Sequence, residues 1–210
     1  MRFPDVGRSG VPSGRRLRAV GRRPVTDSWL PPGQHATTSE LAAATAAPPS
    51  IRRAQWTFTI AARGETLRTW DWPAFRSMPH EAFCVDLHSE LGWSRLATHW
   101  EGVPVRALFA DLNFRAEFAR IDTYGDYTTN LPLEDLLEMP TWIADGYEGR
   151  PIPIARGGPA RLLVPHLYLW KSATWIRAIS LSDRDEPGTR ERAGQHNYGD
   201  PWLQQRFRDH

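Results

Sequence analysis

Apolar and polar residues alternate over residues 55–60, QWTFTI, the period-two pattern of a strand with one buried face. Asp71-Trp72-Pro73 then supplies a helix start: a carboxylate to accept from open amides, and a proline whose missing N–H costs nothing in a first turn. That helix is predicted to stop before Pro79. Further strands are predicted over 82–87, 118–124, 142–147, 161–164 and 175–181. Helical spacing recurs over 105–112 and over 133–137, the latter opened by Pro132. The piece from 88 to 100 shows no regular period, and 149–153 reads as a turn. Short strands interleaved with short helices, in place of long βα units, predict an α+β fold. With 210 residues, 40% of them hydrophobic and ten of them tryptophan, the chain can build one substantial core. Trp56, Trp70, Trp72, Trp142 and Trp175 are expected in that core and in pocket walls.

The first 50 residues break the pattern. They are rich in Gly, Pro, Arg, Ser and Ala without sustained periodicity, so residues 1–29 are expected to be a basic, irregular arm and 30–210 the folded domain. Seven arginines stand there against Asp5, Asp27 and Glu40, whereas the other 160 residues carry 19 basic and 21 acidic groups. The basic character therefore belongs to the arm, and a nucleic-acid-binding body is not expected. No apolar run approaches the roughly 18 residues of a membrane span. Arg15-Arg16 and Arg22-Arg23 raise the question of a twin-arginine export signal, but PVTDSWLPPG follows instead of an apolar stretch, so a cytoplasmic protein is expected. A single cysteine, Cys84, allows no internal disulfide and fits a reducing compartment.

Candidate chemistry concentrates between residues 157 and 177. Lys171 is the only lysine among 26 basic side chains, and with Ser172 and Thr174 it falls between two predicted strands. Ammonium, hydroxyls and loop amides there can all donate to a phosphate; the plain alternative is a solvated surface loop. Arg161 follows Gly157-Gly158-Pro159, so its planar fork can reach a phosphate or a carbonyl where glycines let the backbone come close. Tyr127, Thr128 and Thr129 are expected as loop donors, and Arg156 and Arg95 as candidates for a cationic pocket. One cysteine and scattered histidines do not make a structural zinc site.

Three separated blocks carry a resemblance: GGPARLLVPHLYLWKSATWI from residue 157, GDYTTNLPLEDL from residue 125 and HNYGDPW from residue 196. In that order they resemble the sulfite oxidase-like molybdopterin-dependent oxidoreductases of the single-domain bacterial type, and Leu30-Pro-Pro-Gly-Gln34 matches the way those proteins enter their fold. The resemblance implies a sulfite oxidase-type fold, with short strands in mixed sheets and short helices. It implies a molybdenum–molybdopterin cofactor, two-electron oxygen-atom transfer on a small sulfur or nitrogen oxide, and an electron-transfer partner that the sequence does not identify. It places Arg161 and His88 at the cofactor, and His166 in the same cofactor-binding stretch.

The chain departs from the family within VDLHSELGWSRL, residues 85–96. Where the resembling proteins carry a metal-binding cysteine, directly after the histidine, this chain has Ser89. A thiolate is a soft, readily ionised donor, whereas a serine hydroxyl must be deprotonated by the metal and binds as a hard alkoxide. Two readings stay open: Ser89 is the catalytic metal ligand, or it ligates nothing and the chain is a cofactor-binding protein with lost or altered turnover. Cys84 is the other ligand candidate, but five residues of strand separate it from Ser89 by about 16 Å and turn it to the opposite face. Its plain reading is a small buried apolar residue.

Overall fold

A computed structural model describes residues 29–39 and 47–209. Of the arm expected over residues 1–29, all but Trp29 lies outside the described residues. Two sheets enclose the core. In the first, β2 (Thr57–Ala62), β3 (Glu65–Asp71), β6 (Phe118–Thr123), β7 (Thr128–Pro132) and β11 (Ile176–Ser182) run in the order β3-β2-β11-β6-β7. β11 is parallel to β2 and antiparallel to β6, which makes the sheet mixed. The second contains β1 (His35–Ala36), β4 (Glu81–His88), β5 (Trp93–Pro104), β8 (Trp142–Tyr147), β9 (Arg150–Pro151) and β10 (Arg161–Leu163). Its path is β1-β5-β8-β10, with β4 against β5 and β9 against β8.

The predicted alternation in β2 is real: Phe58 and Ile60 are fully buried. Asp71 caps α1 (Trp72–Arg76) by accepting from the Ala74 amide at 2.8 Å, a bond of about 1 kcal/mol. α3 (Leu133–Leu137) also starts where Pro132 predicts. α2 (Val105–Leu108) is shorter than its apolar spacing suggests and ends after a single turn, with Asp111 at φ 62° beyond it. α4 (Thr189–Arg192) was not expected.

Three expectations are corrected. Residues 93–100, part of the piece where the sequence shows no period, belong to β5, Trp93–Pro104, the longest strand among the described residues. Ala97 takes φ 50° and the pairing with β4 and β8 slips at two places, so the backbone leaves strict alternation and the period-two signal vanishes. Thr128 and Thr129 lie in strand β7 and not in a loop; Thr129, Asn130 and Leu131 are all buried, which hides the strand from an alternation test. Arg150–Pro151, read as part of a turn, pairs with β8.

Between the sheets Trp56, Phe58, Ile60, Phe75, Leu108, Ile121 and Ile179 are fully buried. Trp56 packs edge-on against Trp72 at 5.3 Å between ring centroids. Among the described residues no helix is long and apolar enough to cross a membrane.

Lys171 ends a 3-10 turn, Leu169–Lys171, and is itself fully buried. Its ammonium donates to the Asn130 carbonyl at 2.8 Å, to the Asn197 carbonyl at 2.7 Å and to Glu191 Oε1 at 2.6 Å. Those are the three donors an ammonium has. Glu191 Oε1 also accepts from Thr129 Oγ1 at 2.8 Å and from Trp170 Nε1 at 3.2 Å. The pair thus pins β7, the 3-10 turn, α4 and the tail to one another. Burial lowers the Lys171 pKa, and the neighbouring Glu191 carboxylate works against that shift.

Removing one member of such a pair strands the other charge. Lys171→Ala should cost about 3–5 kcal/mol in urea unfolding, and Lys171→Met combined with Glu191→Gln should cost clearly less. A second prediction concerns Asp135 on α3, whose pKa burial raises to about 6 from 3.8, with the Tyr198 hydroxyl bond opposing the rise. A carboxyl raised in the folded state is protonated there first, so stability falls as pH climbs from about 4 to about 6. Asp135→Asn should flatten that slope and raise stability at pH 7.5 by about 1–2 kcal/mol, discounted for partial exposure, as read from melting temperatures across pH.

Candidate functional site

β4 ends at His88 and the chain turns through 89–92 into β5. Ser89 N donates to Trp93 O at 2.8 Å, Gly92 N to Ser89 O at 3.1 Å, and Gly92 takes φ 89°, a conformation that suits glycine. Ser89 is 2% exposed. Its Oγ accepts from the Leu91 amide at 3.2 Å and faces Glu90 Oε2 at 3.4 Å. Glu90 in turn lies 3.8 Å from Arg190 of α4.

Gln34 holds this turn from outside. Its Nε2 donates to Ser89 O at 2.9 Å, which fixes the amide orientation and leaves Oε1 to accept from Ser94 Oγ at 3.2 Å. The single Ser94 proton being so engaged, the 2.8 Å contact between Ser94 Oγ and His88 Nδ1 puts the proton on Nδ1. Gln34, Glu90, Ser94 and Arg190 were not singled out as site residues from sequence. Gln34 falls in the Leu30–Gln34 block and Glu90 and Ser94 fall within VDLHSELGWSRL, the stretches through which the sequence pointed to this region.

Cys84 is exposed on β4, paired with His99 across the strands, while Ser89 is buried. Ser89 lies just beyond β4, and the pairing of β4 with β5 slips between Val85 and Leu87, so strict alternation does not run from Cys84 to Ser89. The expectation that Cys84 is a buried apolar residue is corrected: at the sequence level a cysteine in an apolar run looks like core, but here it falls on the outer face.

Arg161 opens β10 and is 4% exposed. Its guanidinium donates to Arg156 O and Ser172 O, both at 3.0 Å, and sits 5.8 Å from the Trp100 ring centroid. Nε has no hydrogen-bond partner, and among the described residues no carboxylate pairs with this cation. Burial lowers its pKa to about 10. A buried charge without a counter-charge is costly, and an anionic ligand would offset that cost. The glycines before it serve a different end from the one expected. A Cβ on Gly157 would meet Thr174 Cγ2 at 2.7 Å and one on Gly158 would meet Ile152 O at 2.1 Å, so they allow the loop to pack on its neighbours.

The remaining expected donors face inward. Lys171 has all its donors engaged, as described above. Ser172 is buried and its Oγ accepts from Val164 N at 2.9 Å. Thr174 is half-buried beside Gly157. Thr128 N donates to Thr189 Oγ1 at 2.9 Å, and the Thr129 hydroxyl goes to Glu191. Tyr127 donates to Trp170 O, and burial raises its pKa. His166 lies against Asp135: its Nε2 is 3.8 Å from that carboxylate, neither ring nitrogen has a hydrogen-bond partner, and burial lowers its pKa to about 4. Arg156 is half-buried in the turn Ile154–Arg156. Arg95 lies over the Tyr147 ring.

Two clusters emerge. One is Gln34, His88, Ser89 and Ser94; the other is Arg161 with Arg156 and Ser172. The connection after β10 links them, since Ser172 O meets Arg161 and Tyr168 bridges to His88. A pterin cofactor with an anionic end and a metal end fits this pair: Arg161 is a buried cation in need of an anion, and Ser89 presents a buried oxygen donor. Lys171 does not fit the anion role assigned to it from sequence.

Comparison with known proteins agrees. The chain is 33% identical over 181 residues to the uncharacterized oxidoreductase YuiH of Bacillus subtilis, covering 85% of this chain and 91% of that one. It is 26% identical over 146 residues to the protein-methionine-sulfoxide reductase catalytic subunit MsrP of Gluconobacter oxydans, covering 60% of this chain and 45% of MsrP. The chain therefore spans less than half of that relative. The sulfane dehydrogenase SoxCD from Paracoccus pantotrophus shares the fold, with a TM-score of 0.57 at 14% identity over 70% of this chain and 42% of that one. The family model for the oxidoreductase molybdopterin binding domain matches residues 44–190, and the chain belongs to that family.

Proposed function

We propose that this protein is a molybdenum–molybdopterin oxidoreductase that moves an oxygen atom to or from a small sulfur or nitrogen oxide, with Ser89 as the protein's ligand to the metal. The observation that carries the reading is Ser89 itself: a buried hydroxyl at the end of β4, oriented by the Leu91 amide and braced through its carbonyl by Gln34. The cofactor, when bound, supplies the redox centre at which the oxygen atom changes hands. In the reductive direction the balance is X=O plus two electrons and two protons giving X and water. The name of the MsrP relative supports a sulfoxide as the substrate class.

The chain's own residues position and neutralise. Arg161 offers its guanidinium to the anionic end of the cofactor, and Trp100 shields it from water. His88, next to Ser89 in the chain, has its proton held on Nδ1 by Ser94, which fixes the orientation of its ring. Arg156 and Ser172 frame the Arg161 side. Lys171, Thr128 and Thr129 spend polar atoms on internal bonds that fix β7 and the 3-10 turn, and so position the site indirectly.

One observation favours a second reading, a cofactor-binding protein with lost turnover. The Ser89 hydroxyl already has Glu90 Oε2 within 3.4 Å, and a serine gives up its proton far less readily than a cysteine.

Protein purified from a molybdenum-competent host should contain molybdenum and pterin in equal amounts. Arg161→Ala should lower both at least fivefold in protein that still folds, with urea unfolding recording separately the balance between the bonds lost at the Arg156 and Ser172 carbonyls and the buried charge removed. Full occupancy in that variant would contradict the Arg161 assignment. Loaded wild-type protein should oxidise reduced viologen dye with methionine sulfoxide, an N-oxide or nitrate, or else oxidise sulfite in the parallel assay. Loaded protein inactive on every substrate would establish the second reading.

A further inference from the structure

At the far end of β4 from Ser89, about 26 Å back along extended strand, the surface is cut by a cavity of about 220 Å³. It opens between α2 and the end of α3, where Pro104 of β5 pairs with Trp142 of β8. Trp142 is buried and forms the floor. Its ring stacks on Phe83 at 3.9 Å between centroids and its indole N–H is held by Glu81 Oε1, so this wall has one position. Pro104 and Met139 add to the apolar lining. The charged side chains of Glu81, Arg106 and Glu138 line the same space and are exposed. Arg106 and Glu138 carry opposite charges and face one cavity. Yet their side chains make no ion pair or hydrogen bond with each other or with any other described residue.

From this arrangement we infer that the cavity binds a small zwitterion, a free α-amino acid with an apolar side chain of about four carbons. Opposite charges that share a cavity without meeting leave a gap, and a molecule carrying both signs fills it. The ligand's carboxylate goes to Arg106, whose planar fork donates to both oxygens at once. Its ammonium donates to the Glu138 carboxylate and to Oε2 of Glu81, the oxygen that Trp142 leaves open. The apolar chain lies on Pro104, Met139 and Trp142. Charge argues against simpler ligands. Two carboxylates beside one guanidinium repel a plain anion, and the guanidinium repels a plain cation. Size sets the length of the side chain. An apolar cavity of about 150 Å³ holds benzene, with its six heavy atoms, so about 220 Å³ holds about nine. An α-amino acid with a four-carbon side chain has nine. Binding there is independent of the oxidoreductase reading, because the Ser89 turn lies at the other end of β4.

The probe is L-norleucine, with hexanoate, which lacks its ammonium, and pentylamine, which lacks its carboxylate, as comparisons. Calorimetric titration of the full-length protein should give L-norleucine a Kd of about 1 mM, and each comparison should bind at least about fivefold more weakly. In nitrogen–proton correlation spectra the indole N–H signal of Trp142, identified by its loss in Trp142→Phe, should move during the titration. Arg106→Gln and Glu138→Gln should each weaken L-norleucine at least about fivefold. Both should leave the melting temperature unchanged, since these side chains are exposed and bond to no described residue. No binding of L-norleucine up to about 20 mM, equal binding of either comparison, a Trp142 signal that stays in place, or unaltered affinity in both variants would overturn the proposal. A protein without molybdenum and pterin would defeat the functional reading alone, because these titrations do not depend on turnover.

Discussion

An ammonium can stay inside a protein only if every one of its protons finds an acceptor and its charge finds a counter-charge. Lys171 meets both conditions through Asn130, Asn197 and Glu191, and much of the site depends on that arrangement. The acceptors come from β7, the tail and α4, pieces far apart in sequence. Trp170, one residue before the lysine, gives its indole N–H to Glu191 and its carbonyl to Tyr127. The 3-10 turn is thereby fixed on both sides, and Ser172, next in the chain, is set where its carbonyl receives Arg161.

The two ends of the site are built on different principles. At Arg161 a buried cation has no carboxylate among the described residues, an arrangement that is unfavourable by itself and becomes favourable with an anion. At Ser89 every atom is accounted for: the amide, the carbonyl and the hydroxyl all have partners, and Gln34 reads both the Ser89 carbonyl and the Ser94 hydroxyl. Such bracing holds a side chain to a single position, which is what a donor group needs before a metal arrives. Exchange of cysteine for serine at such a position changes the donor from soft to hard while leaving the scaffold around it intact.

The sequence made some elements plain and concealed others for physical reasons. The Asp71 cap, α3 and the strand over 142–147 were legible because capping chemistry and apolar period are local. Residues 93–104 were not, because bulges and a positive φ at Ala97 destroy the period of an otherwise continuous strand. The uniqueness of Lys171 was visible in composition, but its direction was not. A lysine between two strands reads as a ligand-binding loop until the distant acceptors Asn130, Glu191 and Asn197 are known. Ser89 was found by its frame, yet Gln34 and Arg190, which complete its surroundings, come from 55 or more residues away in either direction. No local pattern announces contacts of that range.

The central claim is that Ser89 binds the metal through oxygen, and X-ray absorption at the molybdenum edge tests it most directly. Wild-type protein should show two sulfur neighbours, both from the dithiolene, and Ser89→Cys should show three. Three sulfurs in the wild type, falling to two in Cys84→Ala, or a sulfur count that Ser89→Cys leaves unchanged, would contradict it.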